Sequence, residues 1–197
     1  MIICPDCFVF VSVTKCASQT LFPVLERYYG GYHHGHSEHC RIIEKWAEPF
    51  YTFSVCRNPY SRAVSLWYST TQRHNSKGDL TDRYGYRAAC PDPDDFASFI
   101  QWLVTQPVNI ETSLETTQVD WLAGLRIDKF LRFESLDADF KTLPFYNGKP
   151  KALPRNNTTY TDRDPWQAYM TPQAIATIDK FYAADFDAHN YKRWGEL

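Results

Sequence analysis

Two corners of this sequence gather side chains suited to holding anions. One is Arg57-Asn58-Pro59, with Ser65 two helical turns further on. Arg offers a charged, planar fork and Ser a short donor, a pairing that suits a phosphate group. The other is Thr14-Lys15-Cys16-Ala17-Ser18-Gln19-Thr20, a Lys followed by small residues and hydroxyls. If a helix starts inside it, the first backbone N–H groups and the helix dipole add to the Lys charge. The pattern GxxxxGK[ST] is absent and Lys15 precedes the small residues, so this is no Walker A loop. The plainer alternative is surface cations with Ser side chains that merely pack.

A third group is Tyr32-His33-His34-Gly35-His36-Ser37-Glu38-His39-Cys40, which holds four of the six His. Three readings stay open. His and Cys ligate zinc, although the cluster is too compact to enclose a metal alone. A neutral His can take a proton near pH 7 as a general base. The segment can also be a solvated loop. Cys4-Pro5-Asp6-Cys7 is a lone CxxC, either redox-active or half of a zinc site. With no export signal in view, the six Cys read as mostly reduced thiols.

The elements that position these residues follow from periodicity and punctuation. Tyr51–Cys56 is an apolar run of strand length, and Asn58 with Pro59 opens a helix through Ala63, Leu66 and Trp67. Phe8–Val13 reads as a buried strand leading into the Lys15 loop. A helix then starts near residues 18–20, because Pro23 is tolerated only in a first turn, and Gly30-Gly31 ends it. Residues 70–89 read as a long surface loop or lid. Asp92-Pro93 is expected to cap a helix carrying Phe96, Phe99 and Ile100. Residues 113–123 should be helical, Ile127–Phe133 a strand, and a short helix should carry Leu136 and Phe140. Thr171-Pro172 should open the last helix. Trp67 and Tyr68 suit either an aromatic platform for a sugar or the core.

Alternation of strands and helices predicts an α/β fold with a mainly parallel sheet flanked by helices, and with ligands beyond the carboxyl ends of its strands. The 197 residues, 44% hydrophobic, are enough for one core, so residues 1–197 read as a single domain. A net charge of -2 gives no basic field for nucleic acid. No apolar run reaches the roughly 20 residues of a membrane span. The expected location is cytoplasmic, since the amino-terminal stretch has neither a basic region nor a cleavage site.

These motifs, in this order, resemble the sulfotransferases that use 3′-phosphoadenosine 5′-phosphosulfate (PAPS), especially the carbohydrate branch. VSVTKCASQTL is similar to that family's 5′-phosphosulfate loop. FSVCRNPYSRAVSLWY is similar to its 3′-phosphate motif. YHHGHSEH resembles the Tyr-His-Gly-His segment of the heparan sulfate 2-O-sulfotransferases, and FLRFESLDADF and FYAADFDAHNY resemble later family segments. Cys16-Ala17 and Gln19 depart from the Gly and Thr of many relatives.

The resemblance implies a P-loop-like sulfotransferase fold and transfer of a sulfuryl group from PAPS to a hydroxyl of a small molecule or glycan. It implies adenosine 3′,5′-bisphosphate as product and no metal. By residue, it implies that Lys15 contacts the phosphosulfate, with Cys16, Ala17, Ser18, Gln19 and Thr20 around the 5′-phosphate. Arg57 and Ser65 would take the 3′-phosphate. Arg155, in the basic stretch 149–155, would close over the nucleotide. His36 would act as base, with His34 the second candidate. Two other classes stay open: an ATP-dependent P-loop-type kinase, and a non-catalytic zinc or redox module built on Cys4, Cys7 and the His cluster.

Overall fold

A computed structural model describes residues 1–34, 43–72, 74, 78–82, 84–108, 114–154 and 164–197. The strands are β1 (Ile2–Cys4), β2 (Phe8–Phe10), β3 (Tyr32–His33), β4 (Tyr51–Cys56) and β5 (Lys129–Arg132). The α-helices are α1 (Ser18–Tyr29), α2 (Pro59–Thr71), α3 (Tyr86–Ala89), α4 (Phe96–Leu103), α5 (Gln118–Leu122), α6 (Leu136–Phe140), α7 (Pro172–Phe181) and α8 (Ala183–Ala188). Short 3-10 turns lie at Phe133–Ser135, Trp166–Tyr169 and Trp194–Glu196. No helix among the described residues is long and apolar enough to cross a membrane.

The fold is α/β, but its sheet is mixed rather than mainly parallel. Strand order is β3-β1-β2-β4-β5. β2, β4 and β5 run parallel, whereas β1 is antiparallel to both its neighbours. The cause is the Cys4–Cys7 segment. Pro5 sits at the second turn position, where its fixed φ fits, and Asp6 adopts a φ of 58°. The Cys7 N–H donates to the Cys4 carbonyl at 3.1 Å. The chain therefore doubles back, pairing Ile3 with Val9. The CxxC is the turn of a hairpin.

β3 reaches the far side of β1 through two glycines. Gly30 ends α1 with a φ of 70°, a conformation that suits a residue without a Cβ. Gly31 lies so close to β1 that an added Cβ would stand 2.5 Å from Ile2 Cγ2. Because β3 is parallel to β2, the carboxyl ends of β2, β3, β4 and β5 share one edge of the sheet.

The chain divides into two compact units. The first holds residues 1–57 and the described residues 120–154, and contains the whole sheet. In its core the ring of Phe10 stacks on Phe53 at 5.0 Å, and Phe8 stacks on Phe145 at 4.2 Å. α1 buries Leu21, Phe22, Val24 and Leu25 against that core.

The second unit holds the described residues 58–108, 114–119 and 164–197. Its centre is α2, with Tyr60, Val64, Leu66 and Trp67 buried against Phe99 of α4 and Ile178 of α7. Asn58 caps α2, its Oδ1 accepting from the N–H groups of Tyr60 at 3.0 Å and Ser61 at 3.3 Å. Two buried charged groups inside this unit find partners within it. The fully buried Arg62 donates to the Thr116 carbonyl at 3.1 Å. The Asp185 carboxylate accepts from Gln118 N–H and Nε2 and from Val119 N–H, which anchors the start of α5.

Several boundaries differ from the sequence reading. β2 stops at Phe10 and α2 runs to Thr71. α3 interrupts the expected loop. α4 starts at Phe96, capped by Asp95 rather than by Asp92, because the Asp95 carboxylate is the one that reaches the Ser98 N–H, at 2.7 Å. Only Gln118–Leu122 is helical among the described residues of the expected 113–123 helix. Thr171 caps α7 as expected, but α8 follows it.

Replacing Asn58 by Ala should lower stability by about 1 kcal/mol in urea denaturation. Asn58→Ser should retain most of it, since Ser offers the same acceptor.

Candidate functional site

The end of β2 sets up the first component of the site. Val11, Ser12 and Val13 are fully buried, and the chain then turns, with the Cys16 N–H donating to the Val13 carbonyl at 3.1 Å. Lys15 and Ala17 both take left-handed backbone, φ 67° and 65°. For residues with a Cβ that conformation costs roughly 1–2 kcal/mol each. Between them Cys16 is fully buried, so the core pins the loop from inside. Left-handed residues in a turn make successive N–H groups converge into a concavity for an anion. Ala17 occupies the cap position of α1 and supplies no side-chain cap, so the helix start is covered by no cap side chain. Gln19 is exposed there, while Thr20 and Lys15 are half-buried.

The second component comes from the end of β4. Arg57 is only 8% exposed, and its Nη1 donates to the Lys15 carbonyl at 2.9 Å. Its guanidinium lies 4.0 Å from the centre of the Phe133 ring, which follows β5. The cation–π contact and the carbonyl bond fix the fork where β2, β4 and β5 end. Lys15 and Arg57 are therefore brought together as expected. A role for Phe133 was not foreseen; the signal available was its position as the last residue of the expected Ile127–Phe133 strand, at the same edge.

The remaining candidates are placed as follows. Ser65 lies on α2 in the second unit and is buried. His34 follows β3 at the edge shared with Lys15 and Arg57. Its backbone N–H donates to the Met1 carbonyl at 3.1 Å, and its Nε2 lies 3.2 Å from Glu44 Oε1. His36 and Arg155 fall outside the described residues, as do His39 and Cys40. Trp67 is core: it is buried, and its indole N–H donates to the Pro93 carbonyl at 2.9 Å. Among the described residues no group of three or more His, Cys, Asp or Glu is arranged to hold a metal ion.

The family model for sulfotransferases matches residues 1–192. This chain belongs to the sulfotransferase family. Membership makes it a transferase of the sulfuryl group, and the match runs through both units. No curated protein and no solved structure matches the chain. The heparan sulfate branch suggested by YHHGHSEH thus rests on that segment alone.

Burial favours the protonated form of the Cys4 and Cys7 thiols. Burial, reinforced by the neighbouring Cys7 sulfur, pushes the Cys4 thiol above its ordinary value, and burial pushes Cys7 up as well. The Cys4 Sγ–H donates to the Tyr29 carbonyl at 3.1 Å. Nucleophilic thiols need the opposite shift. Alkylation of both by iodoacetamide at pH 8 should therefore be slower than that of a free thiol and accelerate as pH rises. Peptide mass mapping over time would check this, and fast labelling at pH 7 would contradict it.

Proposed function

We propose that this sulfotransferase moves the sulfuryl group of PAPS to a carbohydrate hydroxyl, with a His as general base. The observation that carries the reading is the Arg57 fork fastened to the Lys15 carbonyl where β2 and β4 end. The donor set fits the ligand. PAPS carries a phosphosulfate at one end of its ribose and a phosphate at the other. The edge offers an ammonium, a guanidinium, and a helix start without a cap side chain, all suited to oxyanions. The family generally uses this donor, and the loop-to-helix geometry supports describing the fold as P-loop-like, with residues 1–197 as one sulfotransferase-like domain.

The residue roles follow from charge and donor type. Lys15 lays a positive charge beside the bridging oxygen that keeps the electron pair as the sulfuryl group leaves. The amides of Cys16 and Ala17, with Ser18, Gln19 and Thr20, hold the 5′-phosphate. Arg57 and Ser65 hold the 3′-phosphate, and Arg155 closes over the nucleotide. Bound there, PAPS supplies the activated sulfuryl group and departs as adenosine 3′,5′-bisphosphate. His36, with His34 as the alternative, takes the proton from the acceptor hydroxyl as it attacks sulfur in line. Fixed cations do the electrostatic work because they are set in place before the charge develops.

Calorimetric titration in EDTA should show micromolar binding of adenosine 3′,5′-bisphosphate and far weaker binding of ATP and 5′-AMP. Equal binding of all three would sink the reading and favour an ATP-dependent enzyme. Arg57→Ala should weaken the bisphosphate more than it weakens 5′-AMP, which lacks the 3′-phosphate. His36→Ala should slow turnover by roughly 100- to 10,000-fold with bisphosphate binding intact. A wild-type rate in that variant would move the base to His34.

A further inference from the structure

We infer that Trp46 and Glu44 form the acceptor subsite beside His34, and that it takes the face of a neutral sugar ring. The inference rests on the sulfotransferase reading above and names its substrate class.

The two faces of β3 do different things. His33 points toward α1, where its ring meets Phe22 at 4.8 Å and its Nε2 lies 3.2 Å from Glu26. Side chains alternate along a strand, so Tyr32 and His34 belong to the opposite face. There the ring of His34 meets Trp46 edge to face at 6.2 Å, and Trp46 meets Phe50 at 5.8 Å. Glu44 ties the group together. Its Oε2 accepts the Trp46 indole N–H at 2.8 Å, and its Oε1 faces His34 Nε2 at 3.2 Å. A tight turn, with the Ala47 N–H donating to the Glu44 carbonyl at 2.8 Å, sets the two side chains beside each other.

Trp46 nevertheless stays 44% exposed, and Tyr32 42%. A large aromatic held at a fixed angle but left open to water presents a rigid apolar surface at little ordering cost. Next to it, the Glu44 carboxylate has about four acceptor positions and uses two among the described residues. An apolar face flanked by a hydrogen-bond acceptor matches a pyranose, whose C–H face is apolar and whose rim carries hydroxyls. The charges argue against a polyanionic glycan. Glu44 stands beside His34, and the turn 44–48 carries Glu44, Lys45 and Glu48, a net charge of -1. A sulfate or uronate on the acceptor would meet the Glu44 carboxylate at close range.

The test is a titration of the ¹⁵N-labelled full chain, following the six Trp indole N–H signals, with the Trp46 signal assigned by its loss in Trp46→Phe. Millimolar lactose, cellobiose or maltose should move that signal, and a sulfated hexosamine–uronate disaccharide should not. Read by calorimetry, since both variants lack the position 46 indole, Trp46→Ala should weaken the sugar at least tenfold and Trp46→Phe less, and Glu44→Gln should let the charged disaccharide move the Trp46 signal. Response to none of the neutral sugars, or preference for the charged one, would overturn the inference. Calorimetry of adenosine 3′,5′-bisphosphate on the same samples keeps the two readings apart. Bisphosphate binding without sugar binding defeats the acceptor subsite alone, and loss of bisphosphate binding in the wild-type chain defeats the donor site.

Discussion

The bond from the Arg57 guanidinium to the Lys15 carbonyl is the contact on which the edge of the sheet depends. A nearly buried Arg needs acceptors and a surface for its plane, and it finds a carbonyl on one side and the Phe133 ring on the other. That carbonyl belongs to a residue in left-handed backbone, a state that persists only where its surroundings over-determine it. Arg57 outside and Cys16 inside are two such determinants. One cation thus orders the loop that holds the other, and pre-set charges of this kind need no reorganisation when an anion arrives.

Arg62, five residues further along, shows that residue type alone does not decide role. It is fully buried, donates to the Thr116 carbonyl and lies near the face of Tyr182. Asp185 in the same unit spends its carboxylate on three N–H donors at the start of α5. Tyr182, buried beside these charges, has its phenol pushed up to about 12, mainly by burial. The Arg62 and Asp185 charges are met inside the unit, as interior charges must be. Arg57 instead stands at the carboxyl end of a parallel strand, where α/β sheets receive ligands.

The legible parts of the sequence were those with local causes. Tyr51–Cys56, the Asn58 cap, Pro59 and the Gly30 stop all follow from residue type over a few positions, and each stands where the sequence put it. The hairpin at Cys4–Cys7 did not declare itself, because three-residue strands carry almost no period and a CxxC invites a chemical reading. Left-handed Lys15 and Ala17 were invisible for a different reason: neither is Gly, and tertiary contacts impose the conformation. Asp92 and Asp95 are both able caps, and only packing chose between them. The stacking of Phe133 on Arg57 and the joining of Glu44 to His34 are long-range pairings, which periodicity does not encode. The Lys15 loop and Arg57 corner could be singled out as candidate anion sites because charge and hydroxyl content are read without knowledge of the fold, and the structure joins the two through the Arg57 bond to the Lys15 carbonyl.

The close approach of Gly31 to Ile2 gives the sheet a spacer with no slack. β3 is two residues long and pairs with β1 just beyond that approach, so a methyl group at position 31 would press on Ile2 and shift the strands. The His33–His34 pair would swing with it, while Lys15 and Arg57, anchored across β2 and β4, would stay. Position 31 is therefore an alignment point: drift there would change the spacing between the His33–His34 end of β3 and the ends of β2 and β4, with the rest of the sheet intact.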